Sequence, residues 1–363
     1  MDISLHSLRN AVQHNCDIAD ANHARGYTMC TYLLKMREYY RWEKGYAFSA
    51  SLPKDDLGMW LDQREQLWEE LESSTFVPVP IGAQEYAPFD SDAINRALQP
   101  QGLVYSGGYG SHLTPHFFLG TLLHSERRGK LTVLVSGREY ARDLTAPPAM
   151  MLGNTLHVRR ESLRRLLWER IEEWQWRKQE SAMARAVAHY RFEQDADAAL
   201  ERMTDNEIDA AILHELGEVR AGEILGEEWH ALLPAVAGTR AEIMVRAVRD
   251  HLADCLSTLP ALLESENAAS LHFYFANLKG MRRALYPQLD EAYRHWIDSG
   301  RLDRLADETR RGANLWRETA AHLLELHRRH GPECRTHVEQ ALECLPQSRQ
   351  APEQPCACTP PSR

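Results

Sequence analysis

The spacing of apolar and polar positions predicts helices at the start of the chain. Over residues 3–44, Leu, Tyr and Trp side chains recur at intervals of three and four residues among charged ones, with a break near Gly26. Two helices are therefore expected there. Residues 76–90 contain Pro78 and Pro80, which cannot lie inside a helix because proline lacks the N–H donor. We expect an extended linker or lid over this stretch.

The helical pattern dominates the second half of the chain. One long helix is predicted over 161–190. Thr204 and Glu207 have the spacing of a capping box, which predicts the start of a further helix at Thr204. A helix over 240–258 is expected to end at Pro260, since proline cannot continue it. The predicted fold is mainly α, a multi-helix bundle.

A different pattern occupies residues 102–160. A glycine-rich segment at Gly107–Gly110 is followed by apolar stretches at Phe117–Leu119, Leu131–Val135 and Thr155–Val158. Short apolar runs bounded by turn residues are typical of strands, so we expect a small β-containing insert. The predicted domains are N-terminal helices packing on the bundle over 1–75, an extended linker and the insert over 76–160, the main helical domain over 161–346, and a disordered tail over 347–363.

Two polar clusters interrupt the apolar helices. Residues three or four apart on a helix share a face, so His214 lies with Glu218, and His251 lies with Asp254. His and carboxylate side chains that project inward from facing helices are how helical bundles hold metal ions. We therefore predict that these four residues are the core ligands of a mononuclear or dinuclear metal site.

The same residues indicate which metal and which chemistry to expect. A mixed imidazole and carboxylate ligand set favours iron or manganese. Glu215 and Asp250 are expected to orient the two histidines by hydrogen bonds. The predicted activity on a small-molecule substrate is oxygen activation with iron, or metal-assisted hydrolysis with manganese or zinc. The N-terminal helix adds Asp20 and His23, three residues apart, as candidate further ligands.

A second interpretation of the clusters needs no metal. Arg246 and Arg249 lie on the helix of His251, and Arg220 lies close to Glu218. Buried carboxylates need a cation nearby, and a buried Arg–carboxylate network meets that need equally well. The protein would then be a non-catalytic binding module for a nucleotide, an RNA element or a protein partner.

Arg138 and Arg142 form a third candidate feature. Two Arg residues four positions apart are suited to clamp a carboxylate or a phosphate, which predicts substrate-binding residues of a manganese-dependent phosphoester hydrolase. Salt bridges to Glu139 or Asp143 explain the same arginines without a substrate. The sequence leaves both interpretations open.

The composition of the chain limits which binding partners and which cellular location are expected. The formal net charge of −10 argues against a general nucleic-acid-binding surface. No run of about 18 apolar residues predicts a membrane-spanning helix, and no secretory signal is visible. Cys16, Cys30 and Cys255 lie within helical patterns, which indicates reduced, buried thiols in a cytoplasmic protein. Cys356 and Cys358 in the tail are a further candidate site for a soft metal ion.

Two segments of the chain resemble a bacterial family of conserved hypothetical proteins. The first is the run from Cys16 to Glu43, centred on Tyr32–Glu43, and the second is Arg246–Cys255. The similarity covers most of the chain up to residue 300. It implies membership of an uncharacterised family with no established activity, so the resemblance assigns no site residue and no cofactor.

Overall fold

The computed structural model describes residues 4–110, 113–177 and 180–345. The chain divides into two compact units, which are Met1–Lys178 with Tyr190–Ile212, and Gln179–His189 with Leu213–Arg363. The predicted disordered tail over 347–363, with Cys356 and Cys358, lies outside the described residues. Within the described residues the protein is mainly α and contains a five-stranded sheet, so the predicted fold class is confirmed at that level.

The helices of the first unit begin and end at residues suited to those positions. They are α1 (Leu5–His23), α2 (Met29–Lys44), α3 (Lys54–Leu71), α4 (Ser91–Leu98), α5 (Arg160–Arg177) and the first part of α7 (Ala196–Val236). Ser4 and Thr28 begin α1 and α2, because their side chains accept hydrogen bonds from the N–H groups of Ser7 and Thr31. Gly45 follows α2 with a φ of 71°, a left-handed conformation that favours glycine.

The strands of the first unit lie within the predicted β-containing insert and the linker before it. They are β1 (Val79–Ile81), β2 (Gln84–Tyr86), β3 (Leu103–Tyr109), β4 (Pro115–Arg128), β5 (Leu131–Arg142), β6 (Ala149–Leu152) and β7 (Thr155–Arg159). β1 and β2 form a hairpin, and the other strands form a sheet of order β3-β4-β5-β7-β6. Only the β5–β7 pair in this sheet is parallel, with Val133 opposite Leu156.

The core of the first unit places α1 against the sheet. Leu8, Val12 and Cys16 on one face of α1 pack with Tyr105 and Phe117 from the strands. A second apolar cluster joins α1 to α2 and α3. The polar residues of α1 that lie between these two apolar faces are therefore buried, and Asp20 is one of them.

The second unit is built from helices. They are α6 (Ala182–Ala188), the later part of α7 (Ala196–Val236), α8 (Arg240–Ala253), α9 (Leu259–Glu264), α10 (Ala268–Asn277), α11 (Gly280–Leu285), α12 (Pro287–Ser299), α13 (Asp303–His330) and α14 (Arg335–Glu343). A π-helical turn over Asp254–Thr258 joins α8 to α9. α7 is kinked at Gly226, whose φ of 67° is not helical.

Two predicted helix boundaries were wrong. α5 ends at Arg177, so the helix predicted over 161–190 is not continuous, and Ser181 begins α6 by accepting a hydrogen bond from the Ala184 N–H. Pro260 does not end a helix: it directly follows the π-helical turn, in the first turn of α9, and the helical course continues to Glu264.

The capping box at Thr204 was also wrong. α7 begins eight residues earlier, at Ala196, where Asp195 accepts a hydrogen bond from the Ala198 N–H. Thr204 is buried inside α7, and its hydroxyl donates to the Leu200 carbonyl oxygen at 2.7 Å. Thr is tolerated inside a helix when its hydroxyl bonds the preceding turn in this way.

Two further expectations are settled by the described residues. Cys16 and Cys255 are buried free thiols, as expected, but Cys30 is exposed. None of the described helices combines the length and the apolar composition that a membrane crossing requires.

Candidate functional site

The structure brings together three of the residues predicted as metal ligands. His214 and Glu218 lie on α7, and their side chains approach within 3.4 Å between Nε2 and Oε1. His214 Nδ1 lies 3.1 Å from Oδ1 of Asp254, in the π-helical turn. Gly217 permits this approach, since a Cβ at Gly217 would lie 2.5 Å from the Ala253 carbonyl oxygen. The predicted contact between the two polar clusters is therefore present for His214, Glu218 and Asp254.

Asp254 is the centre of this group. Its side chain is 1% exposed and accepts hydrogen bonds from residues of three helices. His214 of α7 contacts Oδ1, while Tyr274 of α10, at 2.9 Å, and Arg282 of α11 both donate to Oδ2. Glu218 is held in addition by Arg249 Nη2, at 2.8 Å. We call these six residues the Asp254 network: His214, Glu218, Arg249, Asp254, Tyr274 and Arg282.

The charges of the Asp254 network stabilise one another. Burial works against ionised Asp254, but the Arg282 charge and the hydrogen bond from His214 outweigh it and lower the pKa of Asp254. Burial also works against protonated His214, yet the hydrogen bonds with Asp254 and Glu218 raise the pKa of His214 to about 10. His214 is therefore an imidazolium at neutral pH, and both of its ring N–H groups donate to carboxylates.

His251 does not join this network through its side chain. The His251 ring is buried, stacks on Trp316 with ring centroids 4.8 Å apart, and meets the edge of Tyr286. Its Nε2 lies 2.8 Å from the Arg282 carbonyl oxygen, so Nε2 carries the proton and donates. Burial and the nearby Arg282 charge lower the pKa of His251 to about 4, which keeps the ring neutral.

Glu215 and Asp250 lie beside the network without orienting its histidines. In the described part of the chain, no hydrogen bond joins either carboxylate to His214 or His251. Burial raises the pKa of Glu215, and the Glu218 charge raises it further. Burial also raises the pKa of Asp250, against the opposing effect of Arg282. The expected orienting role of both residues stays a prediction.

The directions of the ring nitrogens bear on metal binding. The two nitrogens of an imidazole point to opposite sides of the ring, and in His214 each already faces a different carboxylate. His214, Glu218 and Asp254 therefore do not converge on one position. Across residues 4–110, 113–177 and 180–345, no group of three or more His, Cys, Asp or Glu side chains is arranged to hold a metal ion. Iron or manganese binding stays a prediction.

Asp20 and His23 lie in the first unit, at the end of α1. Asp20 is buried, and both of its carboxylate oxygens accept from the Leu144 N–H, at 3.0 and 2.9 Å. Asp20 lines two cavities of about 350 and 570 Å³, while His23 is exposed and lines the larger one. Asp20 and His23, which were selected for their spacing, thus both line the wall of the larger cavity.

Arg138 and Arg142 are not brought together as a clamp. Arg138 is exposed and lies over the Tyr140 ring, whereas Arg142 is buried among Tyr39 and Trp42. Arg142 Nη1 lies 3.9 Å from Glu139, in agreement with the salt-bridge interpretation of this arginine.

The raised pKa of His214 predicts how stability depends on pH. Folded His214 binds its proton more tightly than an unfolded histidine, whose pKa is about 6.5, so its contribution is complete below about pH 6.5 and is lost as pH rises to about 10. Urea unfolding across this range should show wild type approaching the His214→Gln variant. His230→Gln, on the exposed surface of α7, is the control. A difference between wild type and His214→Gln that is constant with pH would contradict this prediction.

Sequence reasoning missed Tyr274 and Arg282. Arg282 lies 28 residues and Tyr274 lies 20 residues beyond Asp254, on other helices. No spacing rule links residues at such separations. The available signal was indirect: a carboxylate on an apolar helix face requires a cation or donors from elsewhere in the fold.

The comparison with known proteins gives matches in both units of the chain. Residues 7–159 match the N-terminal domain of a family of unknown function (DUF6866), and residues 164–344 match the C-terminal domain of the same family. No curated protein and no solved structure shows significant similarity to the chain. The predicted membership of an uncharacterised family is thereby confirmed: the chain belongs to the DUF6866 family.

Proposed function

We propose that the protein is a binding module in which the Asp254 network presets a polar recognition surface on the second unit. The observation that carries this proposal is the set of donors around Asp254. One buried carboxylate is satisfied by His214, Tyr274 and Arg282, which lie on three different helices. Satisfied polar networks of this kind restrict side chains to one arrangement.

Four side chains that surround Asp254 in the network are partly exposed, so a partner can reach them. The side chains of His214, Glu218, Arg249 and Arg282 are 35%, 29%, 29% and 26% exposed, in contrast to the buried Asp254. Their charged ends are held by ion pairs, so little side-chain entropy remains to be lost on binding. This supports a surface that is ordered before its partner arrives.

The balance of charge favours a protein partner over a nucleic acid. His214, Arg249 and Arg282 are cationic, and Glu218 and Asp254 are anionic, so the surface has both signs. Nucleic-acid affinity depends on an excess of Lys and Arg that neutralises phosphates. A segment of protein with acidic and basic side chains matches this surface better.

The proposal includes the arrangement of the helices of the second unit as a bundle. α8 contacts α11, α13 and α14, and α12 contacts α13. These contacts support a bundle in which α8 is central and presents Arg249 and the following π-helical turn. The cytoplasmic location predicted from the sequence remains a proposal as well.

A metal-dependent enzyme with iron or manganese is the second candidate function. The observation that favours it is the short distance between His214 and two carboxylates, which are ligand types that both metals accept. Metal binding would require that His214 lose a proton. It would also require that the carboxylate of Glu218 or of Asp254 turn toward the other carboxylate. A manganese-dependent phosphoester hydrolase has less support, since buried Arg142 and exposed Arg138 do not form a joint site.

Elemental analysis distinguishes the two functions. Protein purified without a metal-affinity tag should contain no stoichiometric iron or manganese by plasma mass spectrometry, before and after anaerobic reconstitution. His214→Ala should then resemble wild type in metal content. A stoichiometric metal that is lost in His214→Ala, but kept in the surface control His230→Ala, would overturn the binding proposal in favour of the metalloenzyme.

A further inference from the structure

A cavity of about 570 Å³ lies in the first unit, between the end of α1 and the loop after β5. Its polar lining comes from several separate segments of the chain. These residues are Asp20, His23, Tyr27, Thr114, His116 and Thr145. None of its described lining residues is Arg or Lys. The chemistry of this wall is therefore that of carboxyl, imidazole and hydroxyl groups, which are the usual groups of acid–base catalysis.

His116 and Asp143 form a buried pair at this cavity. Nδ1 of His116 lies 3.4 Å from Oδ2 of Asp143, and both side chains are buried. Asp143 is itself fixed, since it accepts hydrogen bonds from the N–H groups of Phe117, at 3.1 Å, and Ala146, at 2.6 Å. A carboxylate at one nitrogen of an imidazole sets the orientation and the tautomer of the ring.

The other edge of the His116 ring lies against Gly110 at the wall of the cavity. Nε2 and Cδ2 lie beside Gly110, which lines the same cavity, and a Cβ at Gly110 would come within 2.6 Å of Nε2. Within the described residues, no side chain or backbone group hydrogen-bonds Nε2. Among the described residues, a nearly buried imidazole thus lines the cavity with Nε2 unpaired, and the Asp143 carboxylate lies 3.4 Å from the opposite nitrogen.

Asp20 supplies a second titratable group on the same wall. Burial raises the pKa of Asp20, and the charge of Asp143 raises it further. Burial acts on Asp143 in the same direction, but the contact with His116, the charge of Arg159 and the hydrogen bond from the Ala146 N–H outweigh it and lower the pKa of Asp143. A carboxyl group with a raised pKa keeps its proton to higher pH, which suits Asp20 to donate a proton as a general acid.

The loop that joins these groups is strained and firmly held. Ala146 has a φ of 39°, which is rare for a residue with a Cβ. Arg165 donates to the carbonyl oxygens of Thr145 and Ala146, at 3.0 and 2.9 Å, and Tyr27 OH lies 2.6 Å from Thr145 Oγ1. Strained backbone persists only where its surroundings hold it, and such positions cluster at functional sites.

We propose that this cavity is a catalytic site that hydrolyses a small, uncharged acyl compound, an ester or an amide. His116 Nε2 takes a proton from a water molecule as the water oxygen bonds to the acyl carbon. The bond from that carbon to the leaving group breaks, and the carboxyl group of Asp20 gives its proton to the leaving group. Proton exchange with solvent restores His116 and Asp20, so the net change is the addition of one water across the acyl bond.

The uncharged substrate follows from the cavity wall. An anionic substrate such as a phosphoester needs Arg, Lys or a metal to offset its charge, and the described lining supplies only acidic and neutral groups with histidines. Asp143 acts through His116 and is a positioning residue. This site uses other residues than the Asp254 network, so it stands or falls independently of the proposed binding function.

Two chromogenic probes test the site. Wild type should hydrolyse p-nitrophenyl acetate and leave p-nitrophenyl phosphate intact. His116→Gln and Asp20→Asn should each lower kcat/KM for the acetate by about 100-fold, the scale of one general acid or base. His124→Gln is the matched control, because His124 lies on the same strand, β4, with a side chain that is 59% exposed. Its rate should equal that of wild type.

Chemical labelling provides a readout that does not depend on turnover. Diethyl pyrocarbonate attacks an accessible neutral imidazole nitrogen, and peptide mass spectrometry identifies which histidine has reacted. His116 should be labelled in folded wild type, and Asp143→Asn should slow labelling at His116 but not at His124, because the ring loses its fixed orientation. This measurement decides the question if His116→Gln fails to fold.

Several results would overturn the proposal. A wild-type rate on the acetate no higher than that of folded His116→Gln would do so, as would an equal loss in His124→Gln. Hydrolysis of the phosphate at a rate like that of the acetate would contradict the substrate class. An unlabelled His116 under conditions that label His124 would show that the imidazole is not available to the cavity.

Discussion

Replacing Glu139 with alanine is expected to lower the free energy of unfolding of the first unit by about 3–5 kcal/mol. Glu139 lies on β5 with a fully buried side chain. Arg159 donates to both of its carboxylate oxygens, at 2.9 and 2.8 Å, and Ser162 donates at 2.7 Å. Removing the carboxylate leaves the buried Arg159 guanidinium without its counter-charge. This lowers the stability of the fold because the unpaired charge remains buried.

Hydrogen exchange followed by mass spectrometry is the suitable measurement, since it reports on peptides of the sheet separately from peptides of the second unit. Glu126→Ala on β4 is the matched control: its side chain is 30% exposed and pairs with Arg128 at the surface, where a pair contributes at most about 1 kcal/mol. Equal protection of β5 in the Glu139→Ala and Glu126→Ala variants would refute the expected cost.

Asp254→Ala is expected to destabilise the second unit by a similar amount, about 3–5 kcal/mol. Asp254 is buried, and its removal leaves Arg282, Tyr274 and His214 with one partner fewer each. The π-helical turn that contains Asp254 also loses the side chain that connects it to α7, α10 and α11. The loss should therefore extend to all of these helices.

The control for this variant is Asp307→Ala on α13. Asp307 pairs with Arg310 one turn away, and its side chain is 59% exposed, so the expected loss is at most about 1 kcal/mol. Hydrogen exchange in peptides of α8, α10 and α11 is the measurement for both variants. Unchanged protection of these peptides in Asp254→Ala would mean that the network contributes no more than a surface ion pair.

Helical spacing predicted the part of the Asp254 network that lies within a single helix. The pairing of His214 with Glu218 follows from their separation of four residues on α7. The contact between His214 and Asp254 depended on two helices facing each other, which the apolar pattern of α8 indicated. Arg282 and Tyr274 could not be predicted, because α10 and α11 reach Asp254 only through the tertiary fold.

The same limit explains the different environments of two predicted ligands. His251 and Asp254 are three residues apart, yet His251 stacks on Trp316 of α13 while Asp254 faces α7. Asp20 was selected for its spacing to His23, but the group that occupies its oxygens is the Leu144 N–H, 124 residues away. Spacing identifies which side chains share a helix face, and tertiary packing decides what they meet.

The fold shows a related division between local and long-range information. The apolar runs at 117–119 and 131–135 lie within β4 and β5, as predicted, whereas β3 includes the glycine-rich segment, for which no strand was predicted. The parallel pairing of β5 with β7 has no local signal. The pattern at Thr204 is compatible with both a helix start and a helix interior. Burial of Thr204 among its neighbours selects the interior position.

The π-helical turn affects how this protein is compared with its relatives. In that turn the Leu259 N–H donates to the Asp254 carbonyl oxygen, five residues back rather than the four of an α-helix. The turn therefore contains one residue more than a regular helix of the same course. A relative with a single deletion between positions 254 and 258 would form an unbroken α-helix of the same course, in which the later side chains keep the faces that they occupy here, because the π-helical turn uses one residue more for the same rotation. Positions beyond this turn therefore correspond between such a relative and this protein only when a one-residue gap is placed at the turn.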